Sequence, residues 1–164
     1  MQRITLTIAA IGAGAAVAVP LTSAGAQSPG PRTIRLVEHN KGSTFGFVDN
    51  PPRIKRGRRP VLSPGDMTVF SVPVFDAANR TRRGTLHLQC VVTRRGDEDH
   101  LAGLCTAVLR LSEGQISLAT AVRGDPRLVR GIVTGGSGAY AGARGTFRSR
   151  TTRIGARDTI TLTD

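Results

Sequence analysis

Alternation of apolar and polar residues, rather than a helical period, runs through most of this chain. Thr33-Ile34-Arg35-Leu36-Val37-Glu38-His39 is the first such run, and it predicts a strand with one face turned inward. From Gly65 onward the rhythm is regular. Met67 to Phe75, Gly84 to Thr93, Leu101 to Leu111, Gln115 to Val122, Leu128 to Thr134, Thr146 to Arg153 and Asp158 to Thr163 each read as strands. Turn residues separate them: Asp76-Ala77-Ala78-Asn79, the polar stretch Arg94 to His100, Ser112-Glu113-Gly114 and Gly124-Asp125-Pro126. Thr44 to Val48 is either a further short strand or a loop folded over something. No run of ten or more residues after Gln27 shows a persuasive helical period.

Eight strands with short connections favour antiparallel neighbours, and closing them on themselves removes exposed sheet edges. The expected fold class is therefore all-β, an eight-stranded antiparallel β-barrel, with an open sandwich as the alternative. A barrel of this size is just wide enough to be filled by side chains or to hold one small ligand.

The cysteines test that reading. A hairpin that turns between Asp97 and Glu98 sets Cys90 directly opposite Cys105. Directly opposed β-carbons lie roughly 4.5–5.5 Å apart, close to disulfide reach. Leu88, Val92, Ala107 and Leu109 share the cysteine face, whereas His87, Gln89, Val91, Leu104, Thr106 and Arg110 share the other. A bridge would staple the hairpin from its more apolar side; a free, reactive Cys90 thiol is the competing reading.

The first residues are of a different kind. Met1-Gln2-Arg3 is a short basic start, Ile4 to Val19 an uncharged apolar run, and Ala24-Gly25-Ala26 a small-residue cleavage pattern. Residues 1–26 are expected to be a secretory signal peptide and 27–32 a linker, leaving 33–164 as one exported barrel domain, secreted or held in the cell envelope. Export also favours a Cys90–Cys105 disulfide.

The formal charge is +12, and Lys41 and Lys55 are the only lysines among 23 basic residues. Such a balance allows association with polyanions. The densest basic cluster, Arg53, Lys55, Arg56, Arg58 and Arg59, lies in the proline-rich stretch Asp49 to Pro64, which reads as a long exposed loop. It is the candidate contact for a polyanion of the cell envelope. Nucleic acid is not an expected partner, because an exported chain with one tyrosine and no tryptophan has little with which to stack bases.

Candidate chemistry is sparse. His39, His87 and His100 have no metal-ligand spacing, so no metal is expected, and no cofactor either. The glycine-dense stretch Gly131 to Phe147 lacks the Gly-Lys-Ser/Thr of a phosphate-binding loop and the helix of a dinucleotide site; it reads as a connection of tight turns at a barrel end. Asp66 and Asp76 fit turn roles. Glu38 is the carboxylate best placed to face into a barrel, where burial would raise its pKa and suit it to proton transfer.

Ser63-Pro64-Gly65-Asp66, Val74-Phe75-Asp76, Gly84 with Cys90, Gly114-Gln115-Ile116 and Ile132 to Gly145 occur in an order that resembles the allene oxide cyclase and dirigent superfamily, especially its exported actinobacterial members. Gly135, Gly136, Gly138, Tyr140, Gly142, Arg144 and Gly145 carry the most specific part of the likeness. The resemblance spans about Arg32 to Thr163 and implies an eight-stranded barrel with an apolar cavity. It also implies binding of a small apolar or phenolic molecule whose cyclisation or coupling the cavity guides, an isomerase-like activity if catalytic at all. A non-catalytic envelope-binding domain is the alternative. By the same resemblance Glu38 stands where the plant cyclases are thought to stabilise developing cationic charge. Cys90 matches a cysteine of those enzymes, a role open to it only if it is not bridged to Cys105. Their water-holding asparagine has no counterpart in Ser71-Val72-Pro73-Val74, and with aromatic residues at 4% an aromatic-lined pocket is not expected. The plant proteins form trimers, so a homo-oligomer is one option the sequence leaves open.

Overall fold

The computed structural model describes residues 31–54, 60–97, 99–124 and 127–163. The expected signal peptide, nearly all of the linker, and Lys55, Arg56, Arg58 and Arg59 lie outside the described residues. Arg32, assigned above to the linker, is already strand. There are nine strands in chain order: β1 (Arg32–His39), β2 (Thr44–Val48), β3 (Met67–Asp76), β4 (Arg82–Arg94), β5 (Ala102–Leu111), β6 (Gly114–Arg123), β7 (Leu128–Gly138), β8 (Arg144–Thr151) and β9 (Gly155–Thr163). No helix occurs among the described residues.

Every neighbouring pair is antiparallel, in the order β1-β9-β8-β7-β6-β5-β4-β3-β2, and β1 also pairs with β3. That last pairing closes a barrel of eight strands, not a sandwich. The extra strand, β2, does not widen it. β1 covers the far half of β3 (Glu38↔Val74, Leu36↔Asp76), and β2 covers the near half (Thr44↔Ser71, Val48↔Met67). The turn chemistry of Asn40 to Ser43 therefore interrupts one long edge without ending it.

The hairpin of β4 and β5 has the expected register. Cys90 lies opposite Cys105, with an S–S distance of 2.03 Å and a Cα–Cα distance of 4.1 Å. Leu86, Val92 and Leu109 on the cysteine face are buried, whereas His87, Gln89, Leu104, Thr106 and Arg110 on the other are exposed.

The glycine-rich stretch needs a correction. Gly135 to Gly138 is not loop: these residues extend β7 and pair with Ser117 to Gly114 of β6, after a bulge at Ser117 and Leu118. Only Ala139 to Ala143 turns. Gly138 opens that turn at φ 63° and Gly142 sits within it at φ 75°, a region glycine enters without steric cost. The turn swings Tyr140 back under the barrel. Its ring is 4% exposed and joins Ile116, Val133, Ile160 and Leu162 in the core, with the Arg32 guanidinium 5.2 Å from the ring centroid. A Cβ on Gly136 would overlap the carbonyl oxygens of Tyr140 and Gln115, so the backbone of the turn folds closely over a residue without a side chain.

The last two strands also start earlier than the sequence pattern indicates. β8 begins at Arg144 and β9 at Gly155, with Thr152 returning its N–H to the Gly155 carbonyl at 2.8 Å across the turn between them.

Candidate functional site

The barrel interior is divided along its axis. Inward residues near the Tyr140 turn are bulky and close-packed. Towards the opposite rim they shrink: β5 runs Leu109, Ala107, Cys105, Gly103, and β9 runs Leu162, Ile160, Asp158, Ala156. Small residues leave space. A cavity of about 550 Å³ occupies that half, within the range of about 300–1,000 Å³ common for small-molecule sites.

Its wall is mainly apolar, and it holds more aromatic rings than the composition suggests. Phe45, Phe47, Phe70 and Phe147 all line it. An aromatic lining was not expected at 4% aromatic content; the strands gather the few phenylalanines at one end, leaving Phe75 outside against His39 at 4.2 Å between ring centroids. Phe45, from β2, is 63% exposed and tilts over Phe70 at 4.9 Å, forming part of the mouth. No arginine, lysine or histidine lines the cavity among the described residues.

Glu38 does point into this space, as its place in the first strand predicts. β1 and β9 set it diagonally across from Asp158, since Glu38 opposes Ala156 and Leu36 opposes Asp158. The two carboxyls are hydrogen-bonding neighbours, and Asp158 also reaches Ser149, its cross-strand partner on β8. Burial in the apolar wall pushes Glu38 up to about 9, with the neighbouring Asp158 charge acting in the same direction. Burial raises Asp158 as well, but its hydrogen bonds from Glu38 and Ser149 oppose that. Glu38 therefore keeps its proton at neutral pH. One oxygen of Asp158, Oδ1, is buried without a hydrogen-bond partner.

Asp158 is the functional residue the sequence reading missed. The signal was present: Ala156, Asp158, Ile160 and Leu162 alternate, which puts Asp158 on the apolar face. Reading the strand from Asp158 onward hid the residue at its start.

The other candidates fall into place around this centre. Cys90 and Cys105 line the cavity, but as a disulfide, so the conditional role of Cys90 as a free thiol does not apply. Gly135, Gly136, Gly138, Tyr140, Gly142, Arg144 and Gly145 lie at the packed end, away from the cavity; Arg144 donates to the Ala143 carbonyl at 2.9 Å and closes the turn. Asp66 is more than a turn residue. It is fully buried, and its carboxylate accepts the Ser63 and Asn50 N–H groups at 2.7 and 2.8 Å, tying the proline-rich segment to the barrel rim. His39 bonds Asn79 outside the barrel, His87 is exposed, and His100 pairs with Asp97 at 2.6 Å. No cluster of three or more His, Cys, Asp or Glu among the described residues is arranged to hold a metal.

No protein-family model matches the chain, and no curated protein does either. Solved structures do. A pyocyanin demethylase superimposes with a TM-score of 0.62 at 19% identity, over 81% of this chain and 99% of its own. A nonspecific haem-binding cyclase that catalyses a [4 + 2] cycloaddition in neoabyssomicin biosynthesis gives 0.60 at 19% identity, over 82% of this chain and 65% of its own. A pterocarpan synthase dirigent protein gives 0.56 at 12% identity, over 80% and 81%. At such identities the likeness is one of fold.

Proposed function

We propose that this barrel, of the allene oxide cyclase and dirigent-like fold, binds a small apolar, oxygen-bearing molecule and guides its cyclisation. The observation that carries the reading is an open, largely apolar cavity with one carboxyl pair set in its wall. Two of the similar structures, the cycloaddition catalyst and the dirigent protein, support it by their described activities. Ring closure of a flexible unsaturated chain is slow mainly because its reacting ends seldom meet. A cavity matched to the folded conformer removes that entropic barrier, which can be worth roughly 7–11 kcal/mol for well-oriented groups. The carboxyl pair adds proton-donating and charge-balancing groups to a mainly apolar wall. On leaving its bond to Asp158, the single O–H of protonated Glu38 donates to a carbonyl or epoxide oxygen that gains negative charge, and the Asp158 carboxylate balances positive charge developing nearby. In a low-dielectric wall both effects are stronger than in water. No covalent bond to the protein is needed.

The test has two stages. Native mass spectrometry before and after organic extraction should reveal a co-purifying neutral or cationic molecule of a few hundred daltons or less, a size bounded by the cavity. An environment-sensitive apolar dye should then bind the extracted protein, and Ala107→Phe, which fills the cavity, should abolish binding. Glu38→Gln should leave dye binding intact while slowing turnover of the extracted compound's precursor at least tenfold. Dye binding that survives Ala107→Phe would overturn the cavity as the site.

A further inference from the structure

β1, β9, β8 and β7 form one continuous side of the barrel, and their inward positions include Glu38, Asp158, Ile160, Phe147, Ser149 and Val133. The alternate positions face out. Strand register lines them up into rows that cross all four strands. One row runs Arg35, Thr159, Arg148, Arg130; the next runs Val37, Arg157, Arg150, Leu128. Arg35, Arg130, Arg148, Arg150 and Arg157 are all exposed. Arg148 directly opposes Arg130, and Arg150 directly opposes Arg157. Like charges in directly opposed positions weaken a sheet. The two carboxylates these strands carry, Glu38 and Asp158, both face the cavity instead of the arginines. An anion laid along the rows would relieve the repulsion.

We propose that this arginine face binds a flexible linear polyanion whose charges are phosphates, independently of the cavity. The guanidinium fork matches phosphate oxygens in bidentate fashion, and a row of forks on neighbouring strands, about 4.8 Å apart, follows a chain of such groups. The surface is the convex outside of a barrel, which a flexible chain can wrap and a planar bilayer touches only along a strip. Phe147 is the only Phe, Tyr or Trp on these four strands, and it points inward, so bases have nothing on which to stack. Recognition is therefore of backbone charge alone. This contact lies on the sheet and is separate from the candidate in the proline-rich stretch, most of whose basic residues lie outside the described residues.

The experiment is fluorescence anisotropy with labelled long-chain inorganic polyphosphate over a salt series. Affinity should fall linearly on a log–log plot against salt. Replacing Arg130, Arg148, Arg150 and Arg157 by serine should weaken binding more than tenfold and reduce the salt slope by roughly 2–3, at about 0.7 for each lost contact to a single-stranded chain. Replacing Arg80, Arg95, Arg110 and Arg123 by serine removes the same charge from elsewhere and should leave the slope nearly unchanged. Lysine at the four face positions keeps the charge and should weaken binding severalfold at an unchanged slope, a check that does not rely on the serine variant folding. Equal losses in the two serine variants would overturn the proposal, because net charge would then suffice. Binding to vesicles of anionic phospholipid in preference to polyphosphate would overturn it as well.

Discussion

The two ends of this barrel are built from the same strands and differ in what those strands point inward. At the Tyr140 end, Ile116, Val133, Leu162 and the tyrosine ring interlock and leave little space. At the other end, Gly103, Ala107, Ala156, Ser149 and the disulfide stand where large aliphatic residues would otherwise meet, and a cavity results. The contrast separates two jobs that a small barrel must perform with one interior. The packed end supplies the burial that holds the fold together. The open end can then carry buried carboxyls, whose desolvation works against stability. A covalent bridge in its wall offsets part of the lost packing.

Substitutions at the two ends should separate accordingly. Ile116→Ala, at a fully buried position, should cost about 3–5 kcal/mol in urea unfolding, whereas Leu88→Ala beside the cavity should cost about 1 kcal/mol. Equal losses would mean that the open end is as tightly packed as the closed one. Replacing both Cys90 and Cys105 by alanine should lower stability by about 3 kcal/mol, the value for a loop of about 15 residues, and reductant should lower the wild type alike.

The acidic pair makes stability depend on pH. Glu38 keeps its proton in the folded state up to about 9, while the unfolded chain releases it near the ordinary 4.5. Its contribution is therefore complete below 4.5 and is lost progressively as pH rises through that window. Glu38→Gln, neutral throughout, should flatten this decline and raise stability above the window by roughly 1–3 kcal/mol, read from melting temperatures across a pH series. Phe45→Ala should change unfolding free energy by less than about 0.5 kcal/mol, because the ring is 63% exposed, yet weaken dye binding severalfold. A stability loss as large as that of Ile116→Ala would make the mouth part of the core.

Much of this was legible in the chain. Period-two alternation marked the strands, and the spacing of Cys90 and Cys105 gave the hairpin register. The inward gradient of side-chain size along β5 and β9 is visible in the sequence once the register is known. That Glu38 faces the interior could be read from its strand position. Its partner could not, because pairing of β1 with β9 joins residues from opposite ends of the chain, and local pattern carries no information about that meeting. The same holds for the arginine rows. Arg35, Arg130, Arg148 and Arg157 look scattered along the chain, and only the register brings them onto one face. The gathering of four phenylalanines around one cavity is likewise a product of closure.

The seam between β1 and β3 is short, three paired positions from Leu36 to Glu38, while β1 pairs with β9 over eight. The first strand thus depends for most of its hydrogen bonds on the last. As the chain emerges in order, β3 to β8 can pair with the strand before them at once, but β1 has only its short seam with β3 until nearly the whole domain has followed. Long-range closure of this kind slows folding. Glu38 and Asp158 meet only through the pairing of β1 with β9, so uptake of the proton that Glu38 holds at neutral pH is tied to that long-range closure.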